Sequence, residues 1–324
     1  MPWFRDYLNN HTQSVIISGK KSNQINVKSG VPQGGVLSGM LFSLSINDLP
    51  KILHFCKISM YADDAKIYAP INDNSSVQKV QEDIDRVVAW CETWRLKLNA
   101  KKCFLIQYNP KSVQRTFNPV YKIGNEELAR KTNCRDLGII ISEDLKFHLQ
   151  TEQACRKANM EINRIKRSFV SRNPTFLSNI FKLYVRPHIE YCVEVWNPVF
   201  REDINKMERV QNKMSRLIRE GSRVRPQERN ARLGISSHEI RRLRGDLINI
   251  YKYVNKGALF TLRDDSRLRG NDKAIRRPMF QANPKRHSFA YRSVDEWNIL
   301  PNFVVNSETL NVFKSNIDFY FATR

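Results

Sequence analysis

The chain has six cysteines, Cys56, Cys91, Cys103, Cys134, Cys155 and Cys192, and no two are close enough for a CxxC pair. Its six histidines are equally scattered. Finger and knuckle spacings are therefore absent, and no zinc is expected. Isolated cysteines suit a reducing compartment. There is no apolar run of membrane-spanning length, and Met1-Pro2-Trp3-Phe4-Arg5 has no apolar signal region. No membrane partner is expected, and the location is read as intracellular, in the nucleus, the cytoplasm or both. Internal repeats and low-complexity tracts are also missing.

Acid is the other shortage. In 324 residues, 32 Asp+Glu face 54 Lys+Arg, a net charge of +22. The imbalance is uneven: positions 1–150 carry a net +6, and positions 151–324, with 34 basic and 18 acidic residues, carry +16. Such an excess repels itself unless an anionic partner is near, and nucleic acid is the usual one. With 41% hydrophobic residues, the chain has enough apolar material for a folded core, and its length suggests about two domains.

Short strands come first along the chain. Val15-Ile16-Ile17 and Ile25/Val27 flank the turn Ser18-Gly19-Lys20-Lys21. A loop rich in Gly and Pro, 29–35, opens into an apolar helix expected over 36–49, with Leu37, Leu41 and Leu44 on one face and Pro50 after it. Residues 58–69 alternate on both sides of Asp63-Asp64 and predict a hairpin with two carboxylates at its tip. A helix is expected over 76–98, from the period of Val77, Val80, Ile84, Val87, Cys91 and Trp94, with Ser75 and Gln78 at capping-box spacing. Strands are expected over 103–108 and 137–141, with turns near Asn109-Pro110 and Gly124-Asn125. Helices are expected over 151–170, 175–186, 201–219, 237–256 and 308–320, and an irregular connector over 263–288. Strands followed by helices indicate an α+β domain and then a helical one.

Tyr61-Ala62-Asp63-Asp64 carries the clearest chemistry. Two adjacent carboxylates cannot be buried unpaired, but they suit hard divalent cations, which take carboxylate oxygens together with substrate phosphates. An ordinary polar turn also contains Asp, so the surroundings decide. Upstream stand Ser29-Gly30-Val31-Pro32-Gln33-Gly34-Gly35-Val36-Leu37, Leu41-Phe42 and Ile46-Asn47-Asp48-Leu49-Pro50. Downstream stand Trp90, Trp94 and Lys97-Leu98-Asn99-Ala100-Lys101-Lys102. In this order the segments resemble the reverse transcriptases of non-LTR (LINE-like) retrotransposons. Group II intron maturases share the YxDD hairpin and the PQG loop. Tyr191, Trp196-Asn197-Pro198 and Trp297-Asn298-Ile299-Leu300-Pro301 favour the retrotransposon type.

The resemblance implies a role for each matched position. Asp63 and Asp64 would be catalytic and hold Mg²⁺ or Mn²⁺. Gly30, Pro32, Gln33, Gly34 and Tyr61 would meet the incoming nucleotide and template. Lys102 would protonate the leaving pyrophosphate. Cys134-Arg135-Asp136-Leu137-Gly138-Ile139-Ile140-Ile141 resembles the primer-grip hairpin. Tyr184–Cys192 and Arg241–Leu247 resemble the thumb. The partners would be an RNA template, a DNA primer and deoxynucleotide triphosphates.

Physical reasoning adds a stripe of Lys206, Arg209, Lys213 and Arg216 opposite the apolar face Ile204, Met207, Val210, Met214 and Leu217, fit for phosphates of a duplex. The expected fold is α+β, an incomplete polymerase palm (an antiparallel sheet with helices) followed by a mainly α-helical thumb and C-terminal region. The palm is assigned to 1–110, the primer-grip-like segment to 111–150, the thumb to 151–262, and the connector with a C-terminal helical segment to 263–324. The family's first catalytic aspartate lies upstream of the SGVPQG loop, where only Asp6 stands here. The palm sheet is therefore expected to lack strands, and the chain alone is expected to be inactive. A non-catalytic nucleic-acid-binding remnant, or the product of a decayed element, is the alternative.

Overall fold

The computed structural model describes residues 2–9, 11–27, 30–108, 118–218, 223–263, 271–277 and 287–323. Ser29, the Asn109-Pro110 turn and most of the expected connector lie outside these residues. The chain divides into two compact units, Met1–Leu105 with Gln114–Lys131, and Ile106–Val113 with Thr132–Arg324.

The first unit opens with α1 (Pro2–Leu8) and the short strands β1 (Thr12–Gln13), β2 (Ile16–Ile17), β3 (Lys20–Lys21) and β4 (Ile25–Asn26). β2 pairs with β3 and β1 with β4, both antiparallel. Lys20 and Lys21, expected in the turn, are thus the strand that meets Ile16-Ile17, while Ile25-Asn26 meets Thr12-Gln13, and the register shifts by a residue between the two ladders, as at a β-bulge. Ser18 and Gly19 both take positive φ at the β2–β3 turn, the conformation that suits a tight hairpin.

α2 covers Ser38–Ser45 only, shorter than the expected 36–49. A 3₁₀ turn, Leu49–Ile52, follows and holds Pro50 within its first turn rather than after a helix end. A turn over residues 46–48 separates the two pieces, and Pro50 is tolerated in the first turn of the second because its missing N–H has no partner to lose there. Leu44 is 61% exposed, contrary to its expected place on a buried face; Ile46 and Leu49 are buried instead.

β5 (Lys57–Tyr61) and β6 (Asp64–Tyr68) form a five-pair antiparallel hairpin, and among the described residues no third strand joins it. α3 (Asn74–Thr93) follows. Its capping box is made by Asp73 and Ser76, not by Ser75 and Gln78. The helix stops at Thr93, before the expected residue 98, because Arg95 turns left-handed with φ 56°. Trp94 is therefore exposed rather than part of the apolar stripe. Val80, Ile84, Trp90 and Cys91 are buried as the period requires. The strand expected over 103–108 reduces to β7 (Phe104–Leu105). The hairpin of β8 (Lys122–Ile123) and β9 (Glu126–Glu127) turns at Gly124-Asn125 as expected. β10 (Ala129–Arg130) pairs in parallel with β7.

The second unit begins with the hairpin of β11 (Asn133–Asp136) and β12 (Ile139–Ser142). Leu137 and Gly138, expected inside a strand, are its turn, with φ 44° and 89°. A Cβ on Gly138 would lie 3.2 Å from the Tyr191 ring, so this glycine is required by a close approach as well as by its backbone. Tyr191 also donates its hydroxyl to Leu137 O at 2.9 Å.

Helices follow. They are α4 (His148–Ser168), α5 (Pro174–Ile180), a π-helical turn (Phe181–Val185), α6 (Arg186–Glu190), α7 (Val193–Trp196), α8 (Arg201–Ser215), α9 (Pro226–Arg232) and α10 (His238–Asn255). The short α11 (Phe289–Arg292), α12 (Val294–Asn298) and α13 (Asn302–Val305) precede α14 (Leu310–Thr323). The single helix expected over 175–186 is thus three segments, and α8 ends at Ser215 rather than near 219. One core gathers Ala158, Ile162, Phe181, Trp196, Met207 and Met214; another gathers Leu247, Ile250, Trp297, Val304 and Phe313. The Trp196 indole donates to Tyr191 O at 2.8 Å and the Trp297 indole to Lys273 O at 2.8 Å. Each ring therefore enters the core with its polar edge satisfied. The mixture of helices and small sheets agrees with an α+β class.

Candidate active site

β5 and β6 are held apart from solvent on one side only. Ile58 and Met60 pack beside Ile46, Leu49, Trp90 and Cys91, while Ile67 packs with Cys56, Val80, Ile84 and Tyr121. Beyond these contacts the hairpin projects. Tyr61 pairs with Asp64 at the end of the ladder, so Ala62 and Asp63 make a two-residue turn. Ala62 adopts φ 51°, an uncommon conformation for a residue with a Cβ, and one that tight hairpin turns demand. Tyr61 is 66% exposed, and both Asp63 and Asp64 are exposed. Adjacent carboxylates in open solvent are free to take a cation.

No group of three His, Cys, Asp or Glu side chains among the described residues is placed to hold a metal ion. Two carboxylates nevertheless fit Mg²⁺, which keeps several waters and is commonly held by one or two carboxylates with substrate phosphates. The donor set is all hard oxygen, with no thiolate or imidazole to draw softer metals.

The loop upstream is ordered by its own polar groups. The Gly35 N–H donates to Pro32 O at 3.2 Å, the Ser38 N–H donates to Gly35 O at 3.2 Å, and the Ser38 hydroxyl donates to Pro32 O. Gly30 and Gly34 take φ 91° and 80°. A Cβ on Gly35 would stand 2.4 Å from the Tyr7 hydroxyl and 2.8 Å from Ser38 Oγ, so any larger residue there would have to push these side chains aside. Gln33 is exposed and Pro32 half-buried. Lys102 ends the 3₁₀ turn Ala100–Lys102 with its side chain exposed.

On α8 and the turn that follows it, the expected apolar face is present. Met207, Val210 and Met214 are buried, and Ile204 and Leu217 are half-buried. Arg209, Lys213 and Arg216 are exposed. Lys206 is committed locally: it meets Glu202 at 2.9 Å and Asp203 at 3.2 Å, and these partners raise its pKa above the usual lysine value.

Sequence reasoning missed Asp83. It lies on the buried stripe of α3 and has no solvent exposure. Its carboxylate accepts the N–H groups of His54 (3.0 Å), Phe55 (2.9 Å) and Cys56 (2.7 Å), and the Arg86 guanidinium donates to it as well. Burial pushes the carboxyl upward, but the three backbone donors and Arg86 outweigh it and hold the pKa well below the carboxylate range. Beside it, burial and Asp83 push the Cys56 thiol up to about 12. The one local signal was an acid between Val80 and Val87 on an otherwise apolar face.

Residues 1–141 match the family of reverse transcriptases (RNA-dependent DNA polymerases). The chain is 25% identical over 232 residues to the probable RNA-directed DNA polymerase from transposon X-element of Drosophila melanogaster, covering 67% of this chain and 25% of that protein. It is 25% identical over 226 residues to the RNA-directed DNA polymerase from mobile element jockey of the same fly, covering 66% and 24%. It is 26% identical over 216 residues to the jockey polymerase of Drosophila funebris, covering 63% and 23%. The chain thus spans about a quarter of the length of the curated relatives it matches. No solved structure matches it. These matches support the resemblance to a LINE-like, non-LTR reverse transcriptase.

Proposed function

We propose that this chain is part of a retrotransposon RNA-directed DNA polymerase and that the β5–β6 tip is its catalytic carboxylate pair. The observation that carries this reading is the placement of Asp63 and Asp64, both exposed, on a tight turn at the end of a five-pair ladder. There they would hold Mg²⁺ or Mn²⁺, which supplies the charge that activates a primer 3′-hydroxyl and stabilises departing pyrophosphate. Gly30 and Gly34 leave backbone uncovered beside Pro32 and Gln33, the positions proposed to meet nucleotide and template with Tyr61. Lys102 is the proposed proton donor to the leaving group. Residues 1–110 would then be palm, and the helices between 151 and 262 a thumb.

Arg209, Lys213 and Arg216 would meet phosphates of an RNA–DNA hybrid, with Lys206 contributing less because Glu202 and Asp203 already neutralise it. Two carboxylates are few for two metals, so the chain by itself is proposed to bind primer-template while extending it poorly. The place of action would be the nucleus, the cytoplasm or both.

The test is a filter-binding titration with an RNA–DNA hybrid at two salt concentrations, with Mg²⁺ and deoxynucleotides present. Binding that weakens steeply with salt, with little extension, is expected. Absence of binding would refute a nucleic-acid role, and robust extension would refute the insufficiency of the two carboxylates. The exposed basic stripe of α8 also supports a second reading, a module that grips nucleic acid without synthesis. Loss of binding on charge reversal there, with no extension at any Mn²⁺ concentration, would favour it.

A further inference from the structure

The tip of the carboxylate hairpin is open to solvent, but its root is fixed by one side chain. Asp83 is the only buried charged residue of the first unit among those described. The acceptor is shared by three consecutive backbone donors, His54, Phe55 and Cys56, and these immediately precede Lys57, where β5 begins. Asp83 also occupies the join between two apolar clusters. Val80 and Ile84 pack on the side of Ile67, and Val87, Trp90 and Cys91 pack on the side of Ile58 and Met60.

Apolar contacts alone are non-directional and would tolerate sliding of the strand along α3. A slip of one residue would turn the inward face of β5 outward. A carboxylate held by three successive N–H groups does not tolerate that slip. A buried charge of this kind is a poor source of stability but a good source of registry.

We propose that Asp83 is the positioning residue of the hairpin, setting the register of β5 on α3 and so the presentation of Asp63 and Asp64 to a divalent cation. The proposal rests on the hairpin being a cation site. Arg86, which donates to Asp83 from one turn further along α3, serves as its support.

The test is luminescence of Tb³⁺ sensitised by tyrosine, since Tyr61 stands two residues from Asp63. The full chain is titrated as wild type, Asp83→Asn, Arg86→Met and the double variant Asp63→Asn/Asp64→Asn. All are held at a temperature where circular dichroism shows them folded. The double variant is expected to lose the signal. Asp83→Asn is expected to weaken Tb³⁺ binding about tenfold, the scale of a group that orients metal ligands without touching the metal. Arg86→Met, which leaves the buried acceptor and its backbone donors in place, is expected to weaken it about two- to threefold, as suits a partly exposed partner. Unchanged affinity in Asp83→Asn, with the signal still lost in the double variant, would overturn the positioning role and leave the cation site standing. A signal that survives in the double variant would overturn both. If Asp83→Asn does not fold, Asp83→Glu, which keeps the charge but displaces the acceptor from its three backbone donors, decides, and wild-type affinity in it overturns the proposal.

Discussion

Removal of Arg292 should cost the second unit much of its stability. Its guanidinium donates to both oxygens of Asp246, at 2.9 and 2.8 Å, to Glu194 O at 2.8 Å and to His287 O at 3.0 Å. Asp246 is 5% exposed, so Arg292→Ala would strand a carboxylate away from water and take a donor from the part-buried Glu194 carbonyl. Breaking a buried pair from one side costs about 3–5 kcal/mol, a large share of the 5–15 kcal/mol typical of a whole domain. The double change Arg292→Met/Asp246→Leu removes both charges and should recover part of that loss, since a buried pair exchanged for apolar groups of similar size is often neutral. Urea unfolding followed by far-ultraviolet circular dichroism, which is dominated by the helices of this unit, measures both. The expected outcome is a midpoint lowered strongly in Arg292→Ala and in Asp246→Ala, with a double-variant cost smaller than the sum of the two. A cost below about 1 kcal/mol for Arg292→Ala would refute the reasoning, because it would mean that Asp246 finds water or another donor when its partner is gone.

The other expectations are separate. Gly35→Ala should destabilise the loop by about 1–3 kcal/mol through overpacking against Tyr7 and Ser38, and Tyr7→Phe in the same chain should relieve part of it; thermal melts of the two variants decide. Asp83 has a depressed folded-state pKa, so its contribution is complete above the unfolded value of about 4 and is lost as pH falls below it. Acid unfolding should therefore be flatter in Asp83→Asn than in wild type below that pH. His238 is buried, and burial, followed by Arg242, Arg241 and Arg186, pushes its pKa down to about 3. An imidazole that must stay neutral in the folded state makes stability fall as pH drops from about 6.5. His238→Phe should flatten the stability profile between pH 7 and 4, and an unchanged profile would show that the ring is solvated. Arg209→Ala, Lys213→Ala and Arg216→Ala together should reduce the salt slope of hybrid binding by about two to three, whereas Lys206→Ala should barely alter it, since that cation is neutralised by its neighbours.

The candidate tip was legible in the sequence because its signal is local. Alternation on both sides of Asp63-Asp64 specifies a hairpin and puts the carboxylates at its turn. The apolar stripes of α3 and α8 were legible for the same reason, since a helix repeats its buried face at a fixed period. The ends of elements were less so. Nothing at Arg95 announces a left-handed residue, as a glycine would, and the stop of α3 went unseen. Asp73 and Ser76 share the three-residue spacing of Ser75 and Gln78, two residues further on, so spacing alone does not say which pair caps α3.

Partners distant in sequence were invisible. Asp83 meets donors 27 to 29 residues away, and a lone acid on an apolar face does not say which backbone will come to it. Arg241 and Arg244 stand in a run of arginines that by sequence could serve nucleic acid. The fold instead spends them on Glu190 and Asp318, each through two nitrogens. Net charge therefore overstates what the second unit would offer to phosphate in the proposed role. The arginines that remain exposed on one face of α8 are a better guide than the +16 of positions 151–324, because a charge already paired in the fold releases fewer counterions when nucleic acid arrives.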